Sequence, residues 1–249
     1  MKVSVVIPAY QSESTIGQVV DRIYQTFSYR EEEIEVVGVD DGSRDDTFRV
    51  LIEKTRIYPS MRVIRLQENV GQQNALLCGI RQTQGDVIVT MGDDLQHPPE
   101  EIPVLLHALK QEKDLVYACS ENKICSLDRS WGSKLRDLLF SHLFEKPESL
   151  TLHSFRAVNG DLARKASRES GAFFYLSAAL MKRKPRMGNV TVALYPRSIG
   201  QSNYSTRKLL QLFMKIWIYY SENRLAVALR HKGDPYEVVR SVQSKGDQR

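Results

Sequence analysis

Two pairs of adjacent carboxylates stand where strand-like runs stop: Asp40 and Asp41 in "VDDGSRDDT", and Asp93 and Asp94 in "VIVTMGDDLQHPPEE". Carboxylates in such places hold a divalent cation, accept hydrogen bonds from a ligand, or cap the next helix. Asp93 or Asp94 is placed to cap the turn toward a helix near Pro99, and Ser43 or Asp45 to cap a helix over 46–56. Singly, each pair reads as a cap. Together they favour a site, and two carboxylates buried there require a cation or hydrogen-bond donors nearby.

The elements that must position these residues alternate in type. Short β-branched runs at 3–8, 34–40, 61–66, 86–91 and 114–119 are separated by stretches with helical spacing. That pattern predicts an α/β fold with a mostly parallel, buried sheet. Open sheets of this kind bind ligands beyond the carboxyl ends of their strands, where both acidic pairs fall.

The second half loses the alternation. Residues 132–144 place Leu135, Leu138, Leu139 and Leu143 on one helical face, with Phe140 and Phe144 alongside. Residues 206–220 are apolar nearly all round: Leu209, Phe213, Ile216, Trp217 and Tyr220 form one face, and Leu210, Met214 and Ile218 another. Such a helix is either buried on all sides or lies in a membrane interface, and Arg207, Lys208, Arg224 and Arg230 around it favour the interface. From about Lys232 the chain is polar and reads as a frayed tail.

The 249 residues are 42% hydrophobic, enough for a sizeable core. No stretch approaches the roughly 20 apolar residues that cross a bilayer, and the "MKVSVVIPAY" start lacks signal-peptide features, so a cytoplasmic location is expected. Cys78, Cys119 and Cys125 have no paired spacing, which argues against disulfides or a zinc site. The net charge of +5 conceals an asymmetry. Residues 1–119 carry 12 Lys and Arg against 19 Asp and Glu, and residues 120–249 carry 23 against 11. A basic half suits a phosphorylated ligand, an anionic membrane or a solvated surface. Nucleic acid is disfavoured, because no recognition motif and no aromatic interleaving accompany the charge.

Four motifs in order, "VSVVIPAYQSESTI", "VDDGSRDDT", "NVGQQNALLCGIRQTQGDVIVTMGDDLQHPPEEIP" and "RSIGQSNYSTRKLL", resemble family-2 glycosyltransferases. The resemblance is closest to the dolichyl-phosphate mannose synthase and bacterial polyprenyl-phosphate glycosyltransferase branch. It implies the GT-A fold, a Rossmann-like, mostly parallel sheet flanked by helices, with C-terminal amphipathic interfacial helices. In one continuous domain, residues 1–120 form the nucleotide-sugar half, 121–231 the acceptor half, and 232–249 the polar tail.

By that resemblance Pro8 and Tyr10 cradle the nucleotide base and Asp41, with Asp40, hydrogen-bonds base or ribose. On the residues alone, Tyr10 is equally a core aromatic. The helix from Gly71 turns its amino end to phosphate, or its Ala75 and Gly79 simply permit close packing on the sheet. The family's Asp-x-Asp-x-Gln falls on Gly92, Asp94 and Gln96, so the first carboxylate is missing. Asp93 reaches the same side only if the backbone turns, for which Gly92 is the candidate. The expected cofactor is Mg²⁺ or Mn²⁺, held by Asp94 with Asp93 and Gln96 and completed by substrate phosphates.

Arg129 and Ser133 match an Arg-x-x-x-Ser spacing that binds lipid phosphate in relatives, and Arg156, Arg197 and Lys208 match further basic positions near phosphates. Ser120 stands where a basic residue is expected, with Lys123 as its stand-in. The resemblance implies inverting transfer from a nucleotide-diphosphate sugar donor to a polyprenyl phosphate (dolichyl or undecaprenyl) acceptor, with Asp94, Asp93, Arg129 and Arg197 as the catalytic groups. The partners are the membrane surface of the cytoplasmic leaflet and a membrane-embedded recruiting protein, the enzyme itself being peripheral. Two alternatives stand beside this reading: transfer to a sugar hydroxyl of a glycan or lipid-linked acceptor, and a catalytically silent nucleotide-sugar-binding subunit.

Overall fold

The structure is a computed structural model. It describes residues 1–120, 131–168, 173–195, 206–221 and 236–243, with the side chains of 131–137 and 206–209 outside the described set. The first half builds β1 (Lys2–Ala9), α1 (Ile16–Phe27), β2 (Glu33–Asp40), α2 (Thr47–Ile57), β3 (Met61–Leu66), α3 (Gln72–Arg81), β4 (Val87–Thr90), α4 (Ile102–Lys110) and β5 (Leu115–Cys119). The second half adds α5 (Trp131–Phe144), β6 (Arg156–Asn159), α6 (Gly160–Arg168), α7 (Leu176–Met181), β7 (Met187–Thr191), α8 (Thr206–Tyr220) and β8 (Val238–Gln243).

The eight strands of the described residues form one sheet in the order β7, β5, β6, β4, β1, β2, β3, β8. β1 pairs in parallel with both β2 and β4, and β2 with β3, so the order reverses at β1. That reversal is the topological switch point, where such sheets bind ligands. β6 runs antiparallel between β4 and β5, which brings its first residue, Arg156, beside Thr90 and Tyr117 near the carboxyl ends of those strands.

Both faces of the sheet are covered. Val3, Val5 and Ile7 of β1 pack with α1, α2 and α4, while Val6 of β1 joins Val37, Val39, Ile88 and Tyr117 under α3 and α5 to α8. Residues of the central strands therefore lie inside whichever way they point. Their β-branched content gives a continuous apolar run instead of an alternating one.

The structure departs from expectation at the end of the chain. Residues 236–243 are not a frayed tail: β8 pairs antiparallel with β3, and Tyr236 OH accepts a bond from Arg81 Nη1 at 3.0 Å. The apolar helix α8 buries one side only, as a helix that is not enclosed on all sides must. Phe213 and Ile216 face the core, whereas Leu210 and Met214 are exposed, as is Leu138 on α5.

One contact between the halves has no room to relax. Gly160 begins α6 directly against the β4 edge, donating its N–H to Asp86 O at 2.7 Å. A Cβ there would sit 2.2 Å from Gly85 O, a backbone atom. Gly160→Ala is expected to cost about 2–3 kcal/mol in urea unfolding; an unchanged midpoint would contradict this packing.

Candidate active site

The switch point is built from loops whose backbone donors are taken one by one by side chains. Tyr10 N donates to Asp93 Oδ2 (3.1 Å), Gln11 N to Ser43 Oγ (3.0 Å), Ser12 N to Thr47 Oγ1 (2.8 Å) and Glu13 N to Asp45 Oδ2 (3.3 Å). Much of "DDGSRDDT" thus serves to hold the β1–α1 loop. Pro8 is tolerated in a central strand because the β4 ladder ends at the Val6–Thr90 pair, below the position where its absent N–H would matter. Tyr10 is 42% exposed and is not a core aromatic.

Asp40 and Asp41 are both buried and both turned to the chain itself. Asp40 Oδ1 accepts Ser43 N at 3.1 Å, and Oδ2 faces Arg65 Nε at 3.3 Å. Asp41 accepts Val70 N at 2.8 Å on one oxygen and Gly71 N at 2.9 Å on the other. The anion at the start of α3 is therefore Asp41, and the helix dipole favours it there. Gly79 on α3 serves close packing, since a Cβ would lie 2.4 Å from Val6 Cγ1. Between the acids and the loop before α3, Gly42 has φ +67, and a Cβ would meet Glu68 C at 2.6 Å. Burial pushes both carboxyls above the ordinary 3.8, against the opposing pull of their hydrogen bonds.

Asp93 and Asp94 lie half-buried at the opposite lip. Neither caps the short turn of 3₁₀ helix at Pro99–Glu101. Asp94 Oδ1 instead accepts Gln96 N at 3.3 Å, and Gln96 O accepts Tyr195 N at 3.0 Å. Burial raises the Asp93 carboxyl, the Tyr10 N–H opposes, and neighbouring Asp94 adds to the rise. Gly92 does not supply a left-handed turn, since its φ is outside that region; the left-handed residue of this stretch is Leu95, just after the acids, with φ 60. A branched side chain in that region costs about 1 kcal/mol or more, so the turn must be held by its surroundings.

His97, absent from the expectations above, does much of that holding. It is 6% exposed, and its Nδ1 accepts the Gly92 N–H at 2.8 Å. The ring stacks on Phe155 at 5.2 Å and meets His153 edge-on at 5.1 Å. Burial drives its pKa down to about 4, with Asp94 opposing and Arg156 reinforcing the fall, so the ring is neutral at physiological pH. The residue stood in plain view within "GDDLQHPPEE" but carries no spacing signal.

Arg156 is 3% exposed. It donates to Ser177 Oγ at 2.7 Å and Ser154 O at 3.5 Å, and its guanidinium lies 5.3 Å from the Tyr117 ring centroid. Among the described residues no carboxylate pairs with it. A buried cation without a counter-charge costs several kcal/mol and implies an anion from elsewhere.

The structure thus gathers Pro8, Tyr10, Asp40, Asp41, Asp93, Asp94, Gln96 and Arg156 at one rim. Arg129, Arg197 and Lys123 lie outside the described residues, as do the side chains of Ser133 in α5 and Lys208 in α8. Among the described residues no three His, Cys, Asp or Glu gather to hold a metal ion by themselves. The adjacent pair Asp93 and Asp94, with Gln96 after them, fits a cation shared with a ligand's phosphates.

Burial of Asp40 has a testable sign. Its folded pKa is raised, so its ionised form weakens the fold at neutral pH and the effect fades as pH falls through the raised pKa toward 3.8. Asp40→Asn should therefore unfold at a higher temperature than the parent at pH 7, with the gap closing in acid. A gap that widens in acid would reverse the assignment.

Comparisons with known proteins agree with this geometry. The profile described as glycosyl transferase family 2 matches residues 4–185. Undecaprenyl-phosphate 4-deoxy-4-formamido-L-arabinose transferase of Proteus mirabilis is 32% identical over 218 residues, covering 85% of this chain and 65% of that protein. The protein of the same name from Pseudomonas syringae is 33% identical over 218 residues, with 86% and 64% covered. The chain thus spans just under two thirds of the length of these relatives. Among solved structures, glucosyl-3-phosphoglycerate synthase of Mycobacterium tuberculosis, in complex with Mn²⁺, UDP and phosphoglyceric acid, superposes with a TM-score of 0.64 at 21% identity, covering 87% of this chain and 76% of that one. Mannosyl-3-phosphoglycerate synthase of Rubrobacter xylanophilus gives 0.61 at 15% identity, with 86% and 71% covered. These likenesses show a GT-A-like fold, and with the profile match over most of its length the chain belongs to glycosyl transferase family 2.

Proposed function

We propose that the chain is an inverting glycosyltransferase that moves a sugar from a nucleoside-diphosphate sugar to a polyprenyl phosphate at a membrane surface. The observation that carries this reading is Arg156: a buried guanidinium without a carboxylate, at the same rim as the acidic pair Asp93 and Asp94. The acidic pair suits a cation and its diphosphate. Arg156 suits a second phosphate. The relatives named above as undecaprenyl-phosphate transferases support that class of acceptor.

An acceptor phosphate is already anionic at neutral pH, so an oxygen of it attacks the anomeric carbon without a general base. The new C–O bond forms as the bond to the diphosphate breaks, and the nucleoside diphosphate leaves with the electron pair. Tyr10 offers its exposed ring to the base, while Asp40 and Asp41 hold the loops around it. Asp94, with Asp93 and Gln96, would hold Mg²⁺ or Mn²⁺, which supplies charge neutralisation for the departing diphosphate. Arg156 grips and orients the acceptor phosphate from the α7 side. Arg129, Ser133, Arg197 and Lys208 keep the phosphate-binding roles that the family resemblance implies.

No described helix is long and apolar enough to cross a membrane. The exposed Leu138, Leu210 and Met214, on helices of the more basic half, suit peripheral contact with the cytoplasmic leaflet, beside a membrane-embedded partner.

The test is a donor screen with short-chain polyprenyl phosphate and Mg²⁺ or Mn²⁺, reading released nucleoside diphosphate and an acid-labile glycosyl phosphate. Asp94→Asn should lower kcat on the order of 100-fold, about 2.7 kcal/mol of barrier. Arg156→Met should lose turnover yet unfold no earlier than the parent, because it removes an uncompensated buried charge. An acid-stable glycoside as product would move the acceptor to a sugar hydroxyl. Full activity in Asp94→Asn would remove Asp94 from the metal-holding role, and a parent chain that releases no nucleoside diphosphate from any donor would exclude the enzyme reading.

A further inference from the structure

We propose that His97 is a positioning residue of this site: through its Nδ1 bond to the Gly92 N–H it closes the acidic turn and sets where Asp93 and Asp94 present their carboxylates. The inference rests on reading that turn as the lip that takes the diphosphate. A backbone N–H only donates, so His97 Nδ1 carries the lone pair and the ring proton sits on Nε2. The bond joins the two ends of residues 92–97 and encloses Leu95, whose φ of 60 needs an external constraint.

The ring is itself fixed from outside the turn. Phe155 stacks beneath it, His153 meets its edge, and Nε2 faces Ser154 Oγ at 3.5 Å. Ser154 O in turn accepts Thr90 Oγ1 at 2.7 Å, at the end of β4. One imidazole therefore links the acidic turn, the strand before it and the residues that lead into Arg156. A Cβ at 92 would lie 3.4 Å from His97 Nδ1, an ordinary contact, and 3.1 Å from Asp94 Oδ1, which would have to give by a few tenths of an ångström.

Three variants of the full chain separate this role from that of a plain core residue. His97→Asn keeps an acceptor where Nδ1 stood, His97→Gln moves its amide toward Nε2, and His97→Phe keeps only the stacking. Each is measured for kcat, for KM of the sugar nucleotide and of polyprenyl phosphate, and for thermal midpoint. Mn²⁺ binding in the presence of UDP or GDP is followed by electron paramagnetic resonance. Ring ¹⁵N NMR of the parent chain reports the tautomer directly.

His97→Phe and His97→Gln should lose about tenfold or more in kcat and in Mn²⁺ affinity with nucleotide. The KM for polyprenyl phosphate should stay unchanged, and His97→Asn should recover most of the loss. Asn falling as far as Phe, Gln matching the parent, or a protonated Nδ1 in the parent would each overturn the proposal. If the Phe variant does not fold, the Asn and Gln pair still decides. A parent chain that turns over no donor refutes the functional reading, whereas the nucleotide-dependent Mn²⁺ titration and the ring nitrogens still test the positioning role.

Discussion

The N–H of Tyr10 donating to Asp93 Oδ2 closes the seam between β1 and β4 above the point where their own ladder stops. Beyond Val6 and Thr90 the two strands exchange little further bonding, and Pro8 has no N–H to offer. The crevice of the switch point opens there, and a carboxylate from the far side must hold its two lips in register. That bond draws Asp93 inward, where burial raises its carboxyl and sets it beside Asp94. Two neighbouring carboxylates in a partly desolvated place repel each other. The constraint that shapes the crevice thereby also creates its demand for positive charge.

The sheet could be read from the sequence where it is buried on both faces. The runs at 3–8, 34–40, 61–66, 86–91 and 114–119 became β1 to β5 because strands covered on both sides must be apolar at every position. The remaining strands lacked that signal. β6 is four residues long, β7 carries Gly188 and Asn189, and β8 at the sheet edge is largely exposed, so none had a continuous apolar run to display. Helices α5 and α8 were visible from their spacing, but which side each buries depends on partners far along the chain.

For the site, residue type announced the acids but not their direction. Asp40 and Asp41 look in sequence like ligand groups, yet their oxygens meet Ser43, Arg65, Val70 and Gly71. Asp93 and Asp94 look the same and stand at the open lip. The difference lies in loop closure through residues 32 or more positions apart, such as the bonds from Gln11 to Ser43 and from Tyr10 to Asp93. His97 stayed hidden for a related reason: its value comes from a local turn at Leu95, a residue with nothing in its type to suggest left-handed backbone.

Charge in the described site is uneven: Asp93 and Asp94 stand side by side, and the described part of the chain holds no cluster of three His, Cys, Asp or Glu that would fix a metal ion without help. Arg156 needs an anion, and the described carboxylates are engaged elsewhere or out of reach. A buried guanidinium without a counter-charge costs several kcal/mol, so an anion that pairs with it is bound partly by relieving that cost. On the proposed reading a diphosphate with its metal would sit at the acidic pair and a separate phosphate at Arg156. The opposing charges of the two halves, −7 before residue 120 and +12 after it, carry the same division through the whole chain. A carboxylate set against Arg156 inside the protein would make a more stable fold, at the expense of the pull that, on the proposed reading, draws a phosphate to it.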